Sequence, residues 1–201
     1  MTNDIGIPHI VGIGGTMSRT SRSLMALKHA LRAAEVNGAT TEVIDLREMD
    51  LPIFDPTKAL SEYGSNVQLL IDKARLADGL IVSTGAYHGT LAGITKNALD
   101  YLEFLSEEGY LTNKVVGLIA TAGGDMAGVN AINAMVHAVH ALRGTTVPLL
   151  VSIPRARKVF DQDGGLLDDK WSSRLEILGR LVVETANKLM LIERPIASEQ
   201  A

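Results

Sequence analysis

The sequence predicts an α/β fold: a doubly wound, five-stranded parallel sheet covered by helices on both faces, a three-layer αβα sandwich. Three observations carry that expectation. Short runs rich in β-branched residues alternate with longer segments of helical periodicity. Two of the runs, "DGLIVST" (78–84) and "KVVGLIAT" (114–121), are apolar almost throughout, as strands covered on both faces must be. The 201 residues contain no repeat and no linker-like tract, so residues 1–201 read as a single domain, with a core over about 9–191 and a short tail over 192–201.

Each element follows from its own pattern. "HIVGIG" (9–14) is the first strand, and a helical segment spans 20–36. "TEVIDL" (41–46) is the second strand, followed by a helix over 64–76. The third strand (78–84) leads to a helix over 91–106, and the fourth (114–121) to a helix over 127–142. "VPLLVSI" (147–153) is the fifth strand, and the chain then enters a helix over 170–191. In that last helix Leu175, Leu178, Val182, Ala186 and Leu189 recur at helical spacing, while Arg174, Glu176 and Arg180 fall elsewhere. Gly38 and Gly144 stand where helix ends call for a left-handed residue. The connections 47–63, with "LPIFDP", and 154–169, with "PRARKVFDQDGG", are turn-rich and read as surface segments. Right-handed crossovers between five strands favour the flavodoxin-like order 2-1-3-4-5 over a six-stranded Rossmann sheet.

Composition narrows the function classes. The hydrophobic share of 46% and charged share of 21% are those of an ordinary globular protein. A net charge of −4 offers no general attraction to nucleic acid or to an anionic membrane. No apolar stretch approaches the ~20 residues of a membrane span, and "MTNDIGIPH" lacks the features of a signal peptide, so a cytoplasmic protein is expected. The absence of cysteine excludes disulfides, thiolate catalysis and cysteine-ligated metal.

In an open α/β sheet, ligands bind beyond the carboxyl ends of the strands, where the winding reverses. "GIGGTMSRTSRS" (12–23) sits there, but a dinucleotide fingerprint fails at Met17, and no Gly-Lys-Ser/Thr triplet marks a P-loop. Gly14 and Gly15 permit a tight turn, Thr16, Ser18, Thr20, Ser21 and Ser23 offer hydroxyls, and Arg19 or Arg22 offers charge. This equipment suits one terminal phosphate at a helix N-terminus, or the hydroxyls simply cap the helix. The second loop, "STGAYHGTLAGITKNALDYL" (83–102), frees its backbone with Gly85, Gly89 and Gly93, carries Tyr87, and offers Thr90 as a cap. The third, "ATAGGDMAG" (120–128), pairs two glycines with a candidate cap at Asp125. In the expected order all three loops converge. A flat heterocycle with a phosphate tail fits them, the phosphate on the first loop and an isoalloxazine against the backbone of the other two. The plainer alternative is that the glycines mark tight turns and Tyr87 packs on the sheet.

"YHGTLAGITKNALDYL" resembles the Y-H-G-S/T-x-x-G-x-x-K-N-A-L-D segment of NADPH-dependent FMN reductases, flavodoxin-like and homo-oligomeric oxidoreductases. "GGTMSRTSRSL" resembles that family's G-S-x-R-x-x-S-x-N/S-x-x-L phosphate loop, and "TAGGDMAG" and "VFDQDGGLLDD" sit at comparable places. The resemblance spans residues 9 to 190. It implies FMN as cofactor, NADPH or NADH as hydride donor, and a second small-molecule acceptor such as free FMN, a quinone, an azo dye or a metal oxyanion. It implies a homodimer or homotetramer and flavin-centred chemistry with no catalytic side chain and no metal. Phosphate contacts are implied for Thr16, Arg19, Ser21 and Ser23. Contacts to the ring side are implied for Gly85, Ala86, Tyr87, His88, Gly89, Thr90, Thr121, Gly123 and Gly124. Two departures stand out: the family's loop arginine falls on Ser18, one position before Arg19, and a proline common in the family is Gly85.

Other residues take plainer readings. His137 and His140, three apart on a helix, lack a third ligand and read as surface or interface histidines. His88 reads as a positioning residue, and Lys96, Asn97 and Asp100 as packing or subunit-contact residues. Arg155, Arg157 and Lys158 either meet the 2′-phosphate of NADPH or form a solvated loop. Two alternatives to a reductase remain: a flavin-binding electron carrier without nicotinamide activity, and a non-redox binder of a phosphorylated metabolite.

Overall fold

The computed structural model describes residues 6–193; the first five residues and the tail from 194 onward, read above from sequence, lie outside the described residues. The elements run β1 (His9–Gly15), α1 (Arg22–Val36), β2 (Thr40–Asp45), α2 (Leu46–Met49), α3 (Ser65–Leu76), β3 (Gly79–Tyr87), β4 (Thr90–Leu91), α4 (Gly93–Asp100), β5 (Val115–Thr121), α5 (Ala127–Ala141), β6 (Thr145–Ile153) and α6 (Asp169–Glu193). Five strands pair in parallel in the order β2-β1-β3-β5-β6, the flavodoxin-like order expected. Among the described residues the strand count is six, not five. β3 turns back through His88 and Gly89, both at positive φ (49° and 83°), and Ala86 and Tyr87 pair antiparallel with Leu91 and Thr90.

The sheet carries two cores because side chains alternate along each strand. Val11, Ile13, Leu80, Val82, Val116 and Leu118 face α3, α4 and α5. Ile10, Ile81, Val115 and Ile119 face α1 and α6. Those two helices meet at Gly179, where a Cβ would run into the Ala30 carbonyl and lie 2.8 Å from Ala33 Cβ. A missing side chain here sets how closely the layer packs. Among the described residues no helix is long and apolar enough to cross a membrane.

Several local expectations change. Thr90 lies in β4 and caps nothing; Ala92 is the residue before α4, with no side-chain cap. Met126, not Asp125, precedes α5, again without a side-chain cap. The helix expected over 91–106 is α4 followed by a 3₁₀ segment over Tyr101–Glu108. Gly38 is left-handed as expected (φ 92°). After α5 the left-handed residue is Arg143 (φ 60°), and Gly144 is needed for space, since a Cβ there would lie 2.9 Å from Val139 Cγ1.

Asn97 braces the "LPIFDP" connection. Its Oδ1 accepts from the Phe54 N–H (2.8 Å), and its Nδ2 donates to the Pro52 carbonyl (2.7 Å). The Tyr101 hydroxyl donates to the same carbonyl (3.0 Å), and burial pushes that phenol up to about 12. Phe54, Tyr63 and Phe104 surround it edge-on or stacked. Lys96 and Asp100 pair on the surface of α4.

Replacing Gly179 with alanine forces α1 and α6 apart. The expected loss is about 1–3 kcal/mol, seen as a thermal midpoint several degrees lower. Gly93→Ala, where nothing lies within 4 Å, leaves the midpoint unchanged or raises it.

Candidate functional site

The site forms where β1, β3 and β5 end together. Gly15 turns the chain at φ 108°. Ser21 is the residue before α1, and its Oγ accepts from the Leu24 N–H at 3.3 Å and from the Thr16 N–H at 3.0 Å. Its hydroxyl also lies 3.1 Å from that of Ser23. Farther out, the Ser18 N–H donates to Thr16 Oγ1 and the Thr20 N–H to Ser18 Oγ, each at 3.3 Å. The loop is therefore wound on its own hydroxyls, and Thr16, Ser21 and Ser23 are buried at its base. Capping and cleft lining are not exclusive here: Ser21 caps α1 and also lines the cleft above it.

A cleft of 510 Å³ opens above these residues. One wall is Thr16, Ser18, Thr20, Ser21, Arg22 and Ser23; the other is Gly85, Ala86 and Tyr87, with Thr121, Ala122 and Gly123 from the third loop. Ala156 and Arg157, just beyond β6, complete the lining. Among the described residues no carboxylate lines it. The first two loops touch at Gly85, where a Cβ would lie 2.7 Å from Thr16 Cγ2 and 3.3 Å from the Tyr87 ring. Tyr87 is 52% exposed beside the cleft, with one edge of its ring against Gly85 of β3.

Thr84 sets the shape of the second loop from below. Its hydroxyl donates to the Gly85 carbonyl (3.1 Å) and accepts from the Ala92 N–H (3.0 Å), with Thr95 Oγ1 3.0 Å away. All of this is buried. At the rim, Arg155 Nη2 meets Asp125 Oδ2 at 2.7 Å and joins the third loop to the segment after β6. Hydrogen bonding from Arg155 holds the Asp125 carboxyl below its ordinary range. Both partners are well exposed, so the pair contributes little stability.

Thus Thr16, Ser21, Ser23, Gly85, Ala86, Tyr87, Thr121 and Gly123 are brought to one cleft. Arg19, His88, Gly89, Thr90 and Gly124 do not line it and are exposed. The β4 hairpin carries His88, Gly89 and Thr90 past the cleft, and Arg19 sits on the outer turn of the first loop. The lining also includes Arg22, offered above as the alternative to Arg19, and Arg157 of the basic run. The Arg22 Nε–H is buried without an acceptor, the only such side-chain nitrogen or oxygen among the described residues. The sequence signal for Arg22 was Ser21: a residue directly after a helix cap is fixed at the helix start, whereas Arg19 lies in the exposed turn between Ser18 and Thr20. His137 and His140 are exposed on α5, and no group of three potential metal ligands occurs among the described residues.

Comparison with known proteins adds to this geometry. The sequence signature described as NADPH-dependent FMN reductase matches residues 8–158. An FMN-dependent NADPH-azoreductase of Staphylococcus aureus (strain USA300) is 31% identical over 179 residues, covering 87% of this chain and 89% of the relative. An NADPH azoreductase of Bacillus sp. (strain OY1-2) is 31% identical over 160 residues, covering 80% and 83%. Among solved structures, a flavoenzyme NAD(P)H:(acceptor) oxidoreductase from Paracoccus denitrificans superposes with a TM-score of 0.69 at 19% identity, over 90% of this chain and 98% of that one.

The buried hydroxyl of Thr84 gives a direct check on the second loop. Thr84→Val strips the Ala92 N–H of its acceptor and is expected to cost about 1–3 kcal/mol. Ala92 then loses protection in amide hydrogen exchange, whereas Thr84→Ser retains it.

Proposed function

The chain belongs to the NADPH-dependent FMN reductase family, and from that premise we propose that it is an FMN-dependent oxidoreductase that uses NADPH to reduce small-molecule acceptors, azo compounds first among them. What carries the reading is the two-part lining of the cleft. One end offers hydroxyls, the N-terminus of the 15-residue α1 and a buried guanidinium donor that lacks an acceptor, the chemistry that receives a terminal phosphate. The other offers glycine and alanine backbone beside the Tyr87 ring, a surface for a flat heterocycle. The volume of 510 Å³ lies in the range of cofactor and ligand sites.

FMN, when bound, supplies the redox chemistry, taking hydride from the nicotinamide and giving up electrons to the acceptor. The chain's own work is to bind and orient. The first loop holds the phosphate, and Thr84 fixes the second-loop backbone against the ring. Gly123, with open space around its Cα, lets the third loop approach closely. His88 stands in the exposed hairpin turn and is given no proton to move. Of the basic run after β6, Arg155 is committed to Asp125, while Arg157 lines the cleft and Lys158 is exposed. These last two are the groups proposed to meet the 2′-phosphate of NADPH. The reading takes the enzyme as a single-domain, cytoplasmic homodimer or homotetramer. Support for self-association is the apolar surface at the start of α5, where Met126 is 74% and Val129 46% exposed.

Two measurements test this. Titration of the protein into FMN should quench flavin fluorescence, and NADPH should then be oxidised with an azo dye or quinone present. Unquenched FMN overturns the reading, and quenching without turnover makes the protein an electron carrier instead. Arg157→Ala should raise the KM for NADPH roughly 10- to 100-fold, the worth of one charge-assisted hydrogen bond, and leave kcat and the KM for NADH unchanged. Equal effects on both nicotinamides would remove Arg157 from the 2′-phosphate.

A further inference from the structure

We propose that Arg22, and not Arg19, is the guanidinium that grips the terminal phosphate of the cofactor, and that it makes this cleft select FMN over riboflavin. The inference rests on the flavin reading above and assigns a residue that the family's loop pattern does not. That pattern's arginine position is Ser18, which supplies only a hydroxyl already engaged by the Thr20 N–H. Arg19 follows it in sequence but lies on the exposed outer turn and does not line the cleft. Neither position 18 nor position 19 brings a cation to the lining, whereas Arg22 does.

Arg22 has the position and the unused donors. It is the first residue of α1, directly after Ser21, so its backbone is fixed by the same cap that shapes the loop. Its Nη1 is already spoken for, donating to the Thr20 carbonyl at 3.1 Å and lying 3.7 Å from Met25 Sδ. That anchoring leaves free the opposite edge of the guanidinium, the pair of parallel N–H groups on Nε and Nη2. The Nε–H is buried with no acceptor, and no hydrogen bond is made by Nη2. Buried donors without partners are rare because the desolvation goes uncompensated. An edge of this kind matches two oxygens of one phosphate. The surroundings agree: the hydroxyls of Thr16, Ser18 and Thr20 share the wall, the α1 N-terminus adds its partial positive charge, and no carboxylate competes. Riboflavin has the same ring and ribityl chain but nothing for this edge to hold.

The test compares two ligands on four proteins. Dissociation constants for FMN and riboflavin are measured by fluorescence quenching on the wild type, Arg22→Gln, Arg22→Lys and Arg19→Gln. Arg22→Gln should weaken FMN roughly 10- to 100-fold, as loss of a charge-assisted bond does, and leave riboflavin unchanged. Arg22→Lys should fall between, keeping the charge without the fork, and Arg19→Gln should match the wild type. The ligand-free melting temperature of Arg22→Gln should equal or exceed that of the wild type, since an unpaired buried donor is removed. Equal weakening of both flavins makes Arg22 merely structural and overturns the assignment. So does selective loss of FMN in Arg19→Gln alone. A wild type that binds neither flavin overturns the flavin reading itself, a different failure from a wild type that binds FMN and an Arg22→Gln variant that binds it equally well.

Discussion

Everything in the cleft hangs on the seam between β1 and β3. Gly14 pairs with Ser83 and Gly15 with Thr84, and the close approach is absolute: a Cβ on Gly14 would lie 2.6 Å from the Ser83 carbonyl. From that seam the chain leaves in opposite directions, from β1 into α1 on one face of the sheet and from β3 through β4 into α4 on the other, so neither helix roofs the carboxyl ends of the strands. Ser83 then reaches across the seam, its Oγ donating to the Ser23 carbonyl at 2.8 Å. The first turn of α1 is thereby pinned to β3. The second loop grows from the same strand end through Thr84, so both walls of the cleft share one rigid origin.

Rigidity above the seam comes from short hydroxyl side chains, not from apolar packing. Thr16, Ser21, Ser83, Thr84 and Thr95 are buried, and each makes a hydrogen bond to backbone or to another hydroxyl. A hydroxyl both donates and accepts, so one side chain can satisfy a loop amide and still present an oxygen to a ligand. This lets glycine-rich loops, otherwise expensive to order, hold one shape before anything binds. The brace on the far side works by the same economy: Asn97 ties the "LPIFDP" connection at a donor and an acceptor at once.

The sheet was legible in the sequence because its signals are local. Apolar runs mark the central strands, and the alternation of strand and helix leaves few ways to wind them. The place of the first loop and the hydroxyls at its base followed from the same reasoning. What escaped depends on distant partners or on side-chain direction. Nothing local says that His88 adopts φ 49° and folds Thr90 back onto Tyr87. Asp125 looks like a helix cap until Arg155, thirty positions on, takes its carboxylate. Arg19 and Arg22 look equivalent in a string of serines and arginines, yet one rides a turn and the other a helix start. The segment after β6 reaches the cleft because β6 neighbours β5, as the expected strand order has it, but which of its residues line the cleft depends on side-chain direction.

The same contacts make sense of the chain's departures from the family pattern, which are not independent of one another. The position after the loop glycine is serine in that pattern and threonine here, and the extra methyl of Thr16 is the atom nearest the bare Cα of Gly85, the place where proline is common. A ring at 85 and a methyl at 16 would claim the same space, so Gly85 follows from Thr16. The loss of arginine at 18 has its own counterpart: Ser18 helps wind the loop through the Thr20 N–H, and the Thr20 carbonyl in turn anchors Arg22. The hydroxyl ladder that begins at Ser18 thus ends by positioning the Arg22 side chain. Taken one at a time, each departure looks isolated; through the contacts, Thr16 with Gly85 and Ser18 with Arg22 are two linked pairs that shape the walls of the cleft.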